Sequence, residues 1–126
     1  MTVLGVGLDL VEIHRIRSSV ARFGERFFLR VFTRAEINYC GPHAERLAAR
    51  FAAKEAVAKA FGTGIGAQMS FTEIEVVHDE RGKPEVALHG CAAATARAQG
   101  VARVLISLTH TKEMAAAHAL LLGSAP

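Results

Sequence analysis

The sequence has 126 residues, of which 51% are hydrophobic and 6% aromatic, and its formal net charge at pH 7 is +3. A chain of this length fits one domain, residues 1–126, built on a single core. Its two cysteines are too few for a disulfide framework, no apolar run reaches the roughly 20 residues that span a bilayer, and the N-terminus lacks the pattern of a secretory signal. We therefore expect a cytoplasmic protein rather than a secreted, membrane-spanning or disulfide-rich one.

The first predicted elements are a buried strand and a helix. Residues 3–10 are apolar, and the glycines within them predict that another segment approaches this strand closely. Residues 11–23 change to helical spacing, and we expect Gly24 to interrupt that helix. Thr33 is expected to cap a short helix that follows.

The longest predicted helix covers residues 44–61, where apolar residues fall at helical spacing. Gly62 stands where a left-handed C-terminal cap belongs, and it opens a glycine-punctuated loop, residues 62–66. Residues 72–77 and 84–88 are predicted as two strands joined by a polar turn.

An alanine-rich helix is predicted at residues 91–99, ending at Gly100, and two last strands at 101–108 and 115–122 flank a polar turn. The predicted order is β-α-α-β-β-α-β-β. Neighbouring strand pairs favour an α+β fold, with an antiparallel sheet packed against the long helix, over a doubly wound parallel sheet.

Asp9 is the first candidate for chemistry, because it stands at the end of the apolar strand. An unpaired carboxylate in such a setting is costly to desolvate. Two interpretations are open: a helix N-cap for the segment that starts at Val11, or a metal ligand, since a hard cation offsets the desolvation of a carboxylate.

Glu55 lies in the middle of the long helix. One interpretation is a surface ion pair with Lys59 at i,i+4. Phe51, one turn before Glu55, makes this face less plainly solvated. The other interpretation is a Mg²⁺ site shared by Asp9 and Glu55, because Mg²⁺ typically takes one or two carboxylates together with phosphate oxygens and water.

The loop at residues 62–66 and His110 are candidate contacts for an anion. The loop matches neither a P-loop nor a dinucleotide fingerprint, so by itself it indicates a mobile turn. Its backbone N–H groups and Lys59 are nevertheless expected beside the two acids, where a diphosphate would fit. A lone histidine at a strand end is commonly structural, but Lys112 nearby makes an anion-binding role for His110 reasonable.

Arginines cluster in the first third of the chain, and Arg22, Arg26 and Arg30 are each four residues apart. A solvated basic face and a docking site for an acidic protein helix are both open. Nucleic acid fits less well, because the nearby phenylalanines have the pattern of packing residues. The members of the cluster are Arg15, Arg17, Arg22, Arg26, Arg30 and Arg34.

Two motifs carry a family resemblance: GVGLD at residues 5–9 and RFAAKEAVAKAFGTGI at residues 50–65. They resemble the signatures of the holo-acyl-carrier-protein synthase family, the small single-module group of phosphopantetheinyl transferases, and residues 107–117 resemble its third block. The resemblance covers nearly the whole chain. It implies a small α+β domain that forms a homotrimer, binds coenzyme A between subunits, serves fatty acid biosynthesis and has neither nucleic acid nor membrane as a partner.

The resemblance also implies roles for single residues. Asp9 and Glu55 match the acids that hold Mg²⁺ against the coenzyme A diphosphate, and with Lys59 beside them they are the expected catalytic residues. The other expected coenzyme A contacts are Arg50, Gly62, Gly64 and His110, the last reaching across the subunit interface. The expected docking residues for acyl carrier protein are Arg15, Arg22, Arg26, Phe27 and Arg30.

The implied reaction moves 4′-phosphopantetheine from coenzyme A to a carrier-protein serine and releases 3′,5′-ADP. Either Glu55 or a metal-bound water would take the serine proton, and the sequence leaves both open. Two other classes are alternatives. A metal-dependent phosphodiesterase would use Asp9 and Glu55 without an acceptor protein, and a non-catalytic adaptor would need only the arginines.

Overall fold

The structure is a computed structural model and describes residues 1–124. A 3₁₀ turn at Phe71–Glu73 precedes the second strand. Within the described residues, no helix combines the length and apolar character needed to cross a membrane. The elements in chain order are β1 (Thr2–Glu12), α1 (Ile13–Phe23), α2 (Glu25–Val31), α3 (Arg34–Cys40), α4 (Ala44–Ala60), β2 (Ile74–His78), β3 (Pro84–Leu88), α5 (Gly90–Ala98), β4 (Val101–His110) and β5 (Met114–Gly123).

The strands form two antiparallel sheets. One has three strands in the order β1-β5-β4, and the other is the β2-β3 hairpin. Alanines of α4 and the inner residues of β5 share the main core, so the long helix packs on the three-stranded sheet. The predicted α+β class and antiparallel pairing are confirmed. The single sheet that we expected is instead two, because β2 and β3 pair only with each other.

Strand β1 lies unusually close to helix α4. A Cβ atom added to Gly7 would clash with the carbonyl oxygen of Ala56, and one added to Gly5 would clash with that of Ala60. The facing surface of α4 carries only small side chains here, and Ala56 is fully buried. The predicted close approach to the first strand is confirmed, and both partners in it need to be small.

The outer face of β1 is exposed, so the expectation of a buried strand holds for its inner face and is wrong for its outer face. Val6, Leu8 and Leu10 expose 59%, 65% and 63% of their surface. In the antiparallel register Val6 lies opposite Leu120, and Leu8 lies opposite His118. The physical reason is that α4 covers one face of the three-stranded sheet, while no element of residues 1–124 covers these side chains on the other.

The segment after α1 breaks at Gly24, as expected. Gly24 has φ 54, its N–H donates to Val20 O, and its own carbonyl starts α2, a helix that the sequence analysis does not predict. Thr33 then caps α3 in a complete capping box with Glu36, which confirms the predicted cap.

Candidate active site

Asp9, Glu55 and Lys59 line one cleft of about 420 Å³ between β1, α1 and α4. One wall of this cleft is apolar. The structure thus brings together the three residues expected to be catalytic. The other lining residues are Leu10, Val11, Arg15, Ile16, Ser19, Phe27 and Phe51.

The close packing of β1 on α4 explains why these side chains meet. Asp9 follows Gly7 by two residues and therefore points to the same face of the strand, toward α4. Glu55 and Lys59 are one helical turn apart and project from the same side of α4. Asp9 is a strand residue paired with Ala117, and the residue before α1 is Glu12, which caps it with no side-chain hydrogen bond. The N-cap interpretation of Asp9 is therefore wrong.

Lys59 forms its ion pair with Asp9 rather than with Glu55. Its Nζ atom donates to Asp9 Oδ1 at 2.9 Å and to the carbonyl of Leu8 at 3.2 Å. The side chain of Asp9 is 15% exposed and that of Lys59 is 51% exposed. Among residues 1–124 no ion pair joins Glu55 to a basic side chain, so the interpretation of Glu55 as a surface partner of Lys59 is wrong.

The environment of Glu55 disfavours its charged form. Burial raises the pKa of the Glu55 carboxyl, the negative charge of Asp9 raises it further, and the ammonium of Lys59 lowers it in part. Two carboxylates that repel each other in a partly buried cleft are a favourable setting for a cation.

The donor set fits Mg²⁺ as an ion that keeps other ligands. Within the described part of the chain, no group of three or more histidine, cysteine, aspartate or glutamate side chains could hold a metal. Two carboxylates can bind Mg²⁺ only when phosphate oxygens and water fill its remaining coordination positions. This is the usual coordination of Mg²⁺ beside nucleotides. Asp9 and Glu55 would hold such an ion.

Arg50 lies on a different side of α4, outside this cleft. It is 7% exposed, its Nη2 atom lies 2.8 Å from His78 Nε2, and its guanidinium carbon lies 4.8 Å from the centre of the Tyr39 ring. Tyr39 in turn stacks on His78 with ring centres 4.2 Å apart. Burial lowers the pKa of His78, and the charge of Arg50 lowers it further, so the neutral imidazole accepts the hydrogen bond.

In the loop after α4, the backbone N–H groups of residues 62–64 donate hydrogen bonds to carbonyl oxygens of the helix. Gly62 N donates to Lys59 O at 2.9 Å, and the amides of Thr63 and Gly64 both donate to Ala58 O at 3.2 Å. These three amides are therefore not free for a diphosphate, and for them the expectation from the sequence is wrong. Gly62 and Gly64 have φ 78 and 64 and no atom within 4 Å of an added Cβ, so the turn is open on its outer side.

His110 lies at the exposed end of β4, away from Asp9. It lines a separate cleft of about 480 Å³ with basic neighbours. A single chain therefore does not bring His110 to the paired acids. The other residues of this second cleft are Ile13, Arg17, Glu45, Thr111 and Lys112.

The predicted docking residues divide between α1, α2 and the cleft. Arg26, Phe27 and Arg30 line a groove with Ser19 and Phe23, and this arginine groove shares Ser19 and Phe27 with the Asp9 cleft. Arg15 lines the Asp9 cleft itself. Arg22 lies outside both, with its guanidinium 5.2 Å from the Phe23 ring centre. The break at Gly24 rules out the single arginine face of one long helix.

Three residues near the site, Tyr39, His78 and Lys54, were not predicted from the sequence. Tyr39 and His78 flank Arg50, and no periodicity signals them because the contact joins α3 to β2. Lys54, in the middle of the motif, is fully buried against Glu36. Its signal was available: a lysine between alanines that fall on the buried side of a predicted helix needs a partner.

Comparisons with known proteins show which family the chain resembles. The sequence model described as 4′-phosphopantetheinyl transferase superfamily matches residues 5–117. The holo-acyl-carrier-protein synthase of Koribacter versatilis (strain Ellin345) is 45% identical over 94% of this chain and 98% of that protein. The enzyme of the same name from Chlamydia trachomatis serovar D is 48% identical over the same shares.

Solved structures give the same result. The holo-acyl-carrier-protein synthase of Neisseria meningitidis superposes with a TM-score of 0.89 at 35% identity, covering 96% of this chain and 99% of that one. The Helicobacter pylori enzyme, solved in complex with coenzyme A, superposes with a TM-score of 0.86 at 29% identity, covering 93% and 99%. The chain therefore belongs to the holo-acyl-carrier-protein synthase family of the 4′-phosphopantetheinyl transferase superfamily.

Proposed function

We propose that Mg²⁺, held by Asp9 and Glu55, supports the reaction of this chain. That reaction is the transfer of 4′-phosphopantetheine from coenzyme A to a serine of apo acyl carrier protein, which yields holo carrier protein and 3′,5′-ADP. The observation that carries the proposal is the cleft in which two acids and Lys59 meet beside the arginine groove. When bound, Mg²⁺ would supply positive charge to the phosphate oxygens.

The chain's own residues supply the rest of the chemistry. Lys59 is half exposed while it holds Asp9, so its ammonium can also donate to a phosphate oxygen on which charge grows. Glu55 takes the proton of the attacking serine, because it is the carboxylate of this cleft that no basic side chain pairs within residues 1–124. Phe27 and Phe51 form an apolar wall beside these groups.

The nucleotide end of coenzyme A is assigned to the remaining candidate contacts. Arg50 offers a buried positive charge beside the half-exposed ring of Tyr39. Gly62 and Gly64 leave an open turn over which a nucleotide can lie. His110 stands among the basic residues of the second cleft.

A homotrimer would complete the site between subunits. Two observations support this part of the proposal. His110 and Asp9 lie in different clefts of one chain, so a neighbouring copy is needed to bring such groups together. The exposed side chains of Val6, Leu8 and Leu10 also form an apolar surface of the kind that another subunit covers.

The arginine groove is assigned to the acyl carrier protein. Arg26 and Arg30 are basic while Phe23 and Phe27 are apolar, a combination that fits an acidic amphipathic helix. Because the groove adjoins the Asp9 cleft, a carrier docked there would present its serine near the acids. A cytoplasmic location belongs to the same proposal and is supported by two free cysteines, Cys40 and Cys91.

One experiment tests the proposal directly. The protein is incubated with apo carrier protein, coenzyme A and Mg²⁺, and the carrier is weighed by mass spectrometry. We expect the mass of phosphopantetheine to be added, and we expect EDTA to prevent it. Asp9→Asn and Glu55→Gln should each lower the rate by about 100-fold or more.

The same experiment separates the alternatives. Release of 3′,5′-ADP without a carrier would indicate a phosphodiesterase. Binding of the carrier that is indifferent to Glu55→Gln, with no mass added by the wild type, would indicate an adaptor. Full transfer in EDTA would overturn the role of Mg²⁺.

A further inference from the structure

Lys54 is fully buried, and its ammonium uses all its hydrogen-bonding capacity. Nζ donates to Glu36 Oε1 at 2.8 Å, to Phe71 O at 2.9 Å and to Ile74 O at 2.5 Å. These three acceptors belong to α3, the 3₁₀ turn and β2. A single side chain therefore ties helix α4 to three other elements.

Glu36 is equally committed at the other end of this pair. It is 2% exposed, Oε1 accepts from Thr33 N as well as from Lys54, and Oε2 accepts from Val76 N at 2.8 Å. Neither buried charge lacks a partner, so the Glu36–Lys54 pair joins α3, α4 and β2 by directional bonds.

The pair acts on the cleft through the geometry of α4. Lys54 immediately precedes Glu55, and successive residues of a helix are about 100° apart around its axis. Fixing the direction of Lys54 therefore fixes the direction in which Glu55 leaves the helix. Phe51, which lines the cleft with Glu55, stacks on Phe71 with ring centres 5.4 Å apart, and Phe71 is itself an acceptor for Lys54.

Stability alone is a poor reason for this pair. Replacing a buried ion pair by apolar residues of similar size is often neutral or stabilising. The face of α4 toward β1 and the main core carries Ala52, Ala53 and Ala56, all fully buried, and such small side chains give few steric stops against rotation of the helix. The directional hydrogen bonds of Lys54 restrict the rotation of α4, which the small alanines do not.

We propose that the Glu36–Lys54 pair positions Glu55, by setting the rotation of α4 that aims this carboxylate into the cleft beside Asp9. Lys54 and Glu36 are positioning residues, because neither lines the cleft. The inference rests on the proposed function, which gives Glu55 its task.

The test replaces both charges at once, with Glu36→Leu and Lys54→Met in one protein, so that no buried charge is left unpaired. We expect this variant to fold with a melting temperature near that of the wild type. Its kcat should fall by about 10- to 100-fold, the range seen when residues that orient a metal ligand are removed. KM for the carrier protein should not change, because the arginine groove is untouched.

A second readout does not depend on turnover. The affinity for Mn²⁺ in the presence of coenzyme A, measured by water-proton relaxation, should weaken by about tenfold in the double variant. The matched control is Val104→Ala, a loss of core packing in β4 that touches neither the pair nor the cleft. It should lower the melting temperature while leaving kcat and Mn²⁺ affinity as they are.

The outcomes are decisive. A folded double variant with wild-type kcat and Mn²⁺ affinity overturns the positioning role. If the double variant does not fold, Glu36→Gln/Lys54→Met, which keeps the shape of Glu36 and leaves no buried charge, should show the same two losses, and wild-type values in it overturn the positioning role. If the wild type transfers nothing, the proposed function fails by itself, and the Mn²⁺ affinity alone decides whether the pair positions Glu55.

Discussion

The ammonium of Lys59 on α4 lies 2.9 Å from Asp9 Oδ1 on β1, an ion pair that spans 50 residues of sequence. Lys59 stands four residues after Glu55, the spacing of a helical ion pair, yet its ammonium bonds to Asp9 on the strand. Its charge still lowers the pKa of Glu55 from that position. Lys59 thus forms an ion pair with Asp9 and also lowers the pKa of Glu55.

The Lys59→Gln variant should distinguish the contribution of this ion pair to catalysis from its contribution to stability. We expect kcat to fall by about 100-fold, because a positive charge beside the diphosphate is lost. The melting temperature should change little, since a half-exposed ion pair contributes at most about 1 kcal/mol. The acidic limb of the pH–rate profile should move upward, because Glu55 loses a charge that lowers its pKa.

Arg97→Gln on α5 is the control for Lys59→Gln, and its profile should match the wild type. An unchanged acidic limb in Lys59→Gln would mean that Glu55 is not the group that titrates in that limb.

Glu55→Gln should stabilise the metal-free protein at neutral pH. The pKa of Glu55 is raised above its ordinary value of 4.5, so its contribution to stability is fully present below that value and is lost as pH rises through the folded-state pKa. At pH 7 the wild type therefore carries an unfavourable charge that glutamine removes. We expect a higher melting temperature for Glu55→Gln in EDTA at pH 7.

This difference should disappear below about pH 3.5, where the wild-type carboxyl is protonated in both the folded and unfolded states. Scanning calorimetry in EDTA across this range measures it. A variant less stable than the wild type at pH 7 would contradict the assignment of Glu55 to a strained, partly buried position.

Gly7→Ala should disrupt the contact between β1 and α4. The new methyl group would meet the carbonyl oxygen of Ala56, which is backbone and cannot move aside cheaply. We expect a loss of about 1 to 3 kcal/mol in the free energy of unfolding, and a larger loss of activity than of stability, because Asp9 moves with the strand.

Gly66→Ala is the matched control, since an added Cβ there meets no atom within 4 Å and its φ is not positive. Urea unfolding of the two variants provides the comparison. Equal stability of both would refute the close approach.

Reversing the charges of Arg26 and Arg30 together should weaken carrier docking. Like charges placed opposite an acidic partner cost several kcal/mol, so KM for the carrier protein should rise by about tenfold or more. The dependence of this KM on salt should become shallower, because fewer opposite charges attract. KM for coenzyme A should be unaffected. The double variant Arg97→Glu/Arg103→Glu, outside the arginine groove, serves as control.

Leu8→Glu should prevent assembly. Leu8 lies on the exposed apolar face of β1, so a carboxylate there costs an isolated chain little but would be buried without a partner between subunits. Light scattering after size exclusion should show the mass of one chain. Leu29→Glu replaces another exposed leucine, on α2, and should leave the assembly intact. A trimer in the Leu8 variant would exclude this face as the interface.

The sequence predicts the fold best where periodicity and glycine punctuation agree. The helix expected at residues 44–61 is observed at Ala44–Ala60, and the strand expected at 84–88 is observed at Pro84–Leu88. Both segments are bounded by residues with strong backbone preferences, because Gly62, with its positive φ, follows the helix and Pro84 begins the strand. Such local preferences act without tertiary contacts, so the sequence alone reveals them.

The site is less accessible to sequence reasoning because its contacts are tertiary. Spacing left Asp9 and Glu55 each with two interpretations, one of which was a shared Mg²⁺ site, and only the family resemblance chose between them. The structure supplies the physical cause, the missing Cβ of Gly7. Spacing also does not reveal which way Arg50 turns, because that depends on Tyr39 and His78, which come from other elements.

Because the outer face of β1 and β5 is uncovered in a single chain, the stability of the protein is expected to depend on its concentration. If copies of the chain cover it, every increase in protein concentration favours the folded state. The melting temperature then rises with protein concentration and falls on dilution. Assays at nanomolar enzyme would then sample dissociated chains whose clefts are incomplete. Specific activity should therefore climb with enzyme concentration until assembly saturates, and the midpoint of that climb would report the affinity of the subunits for one another.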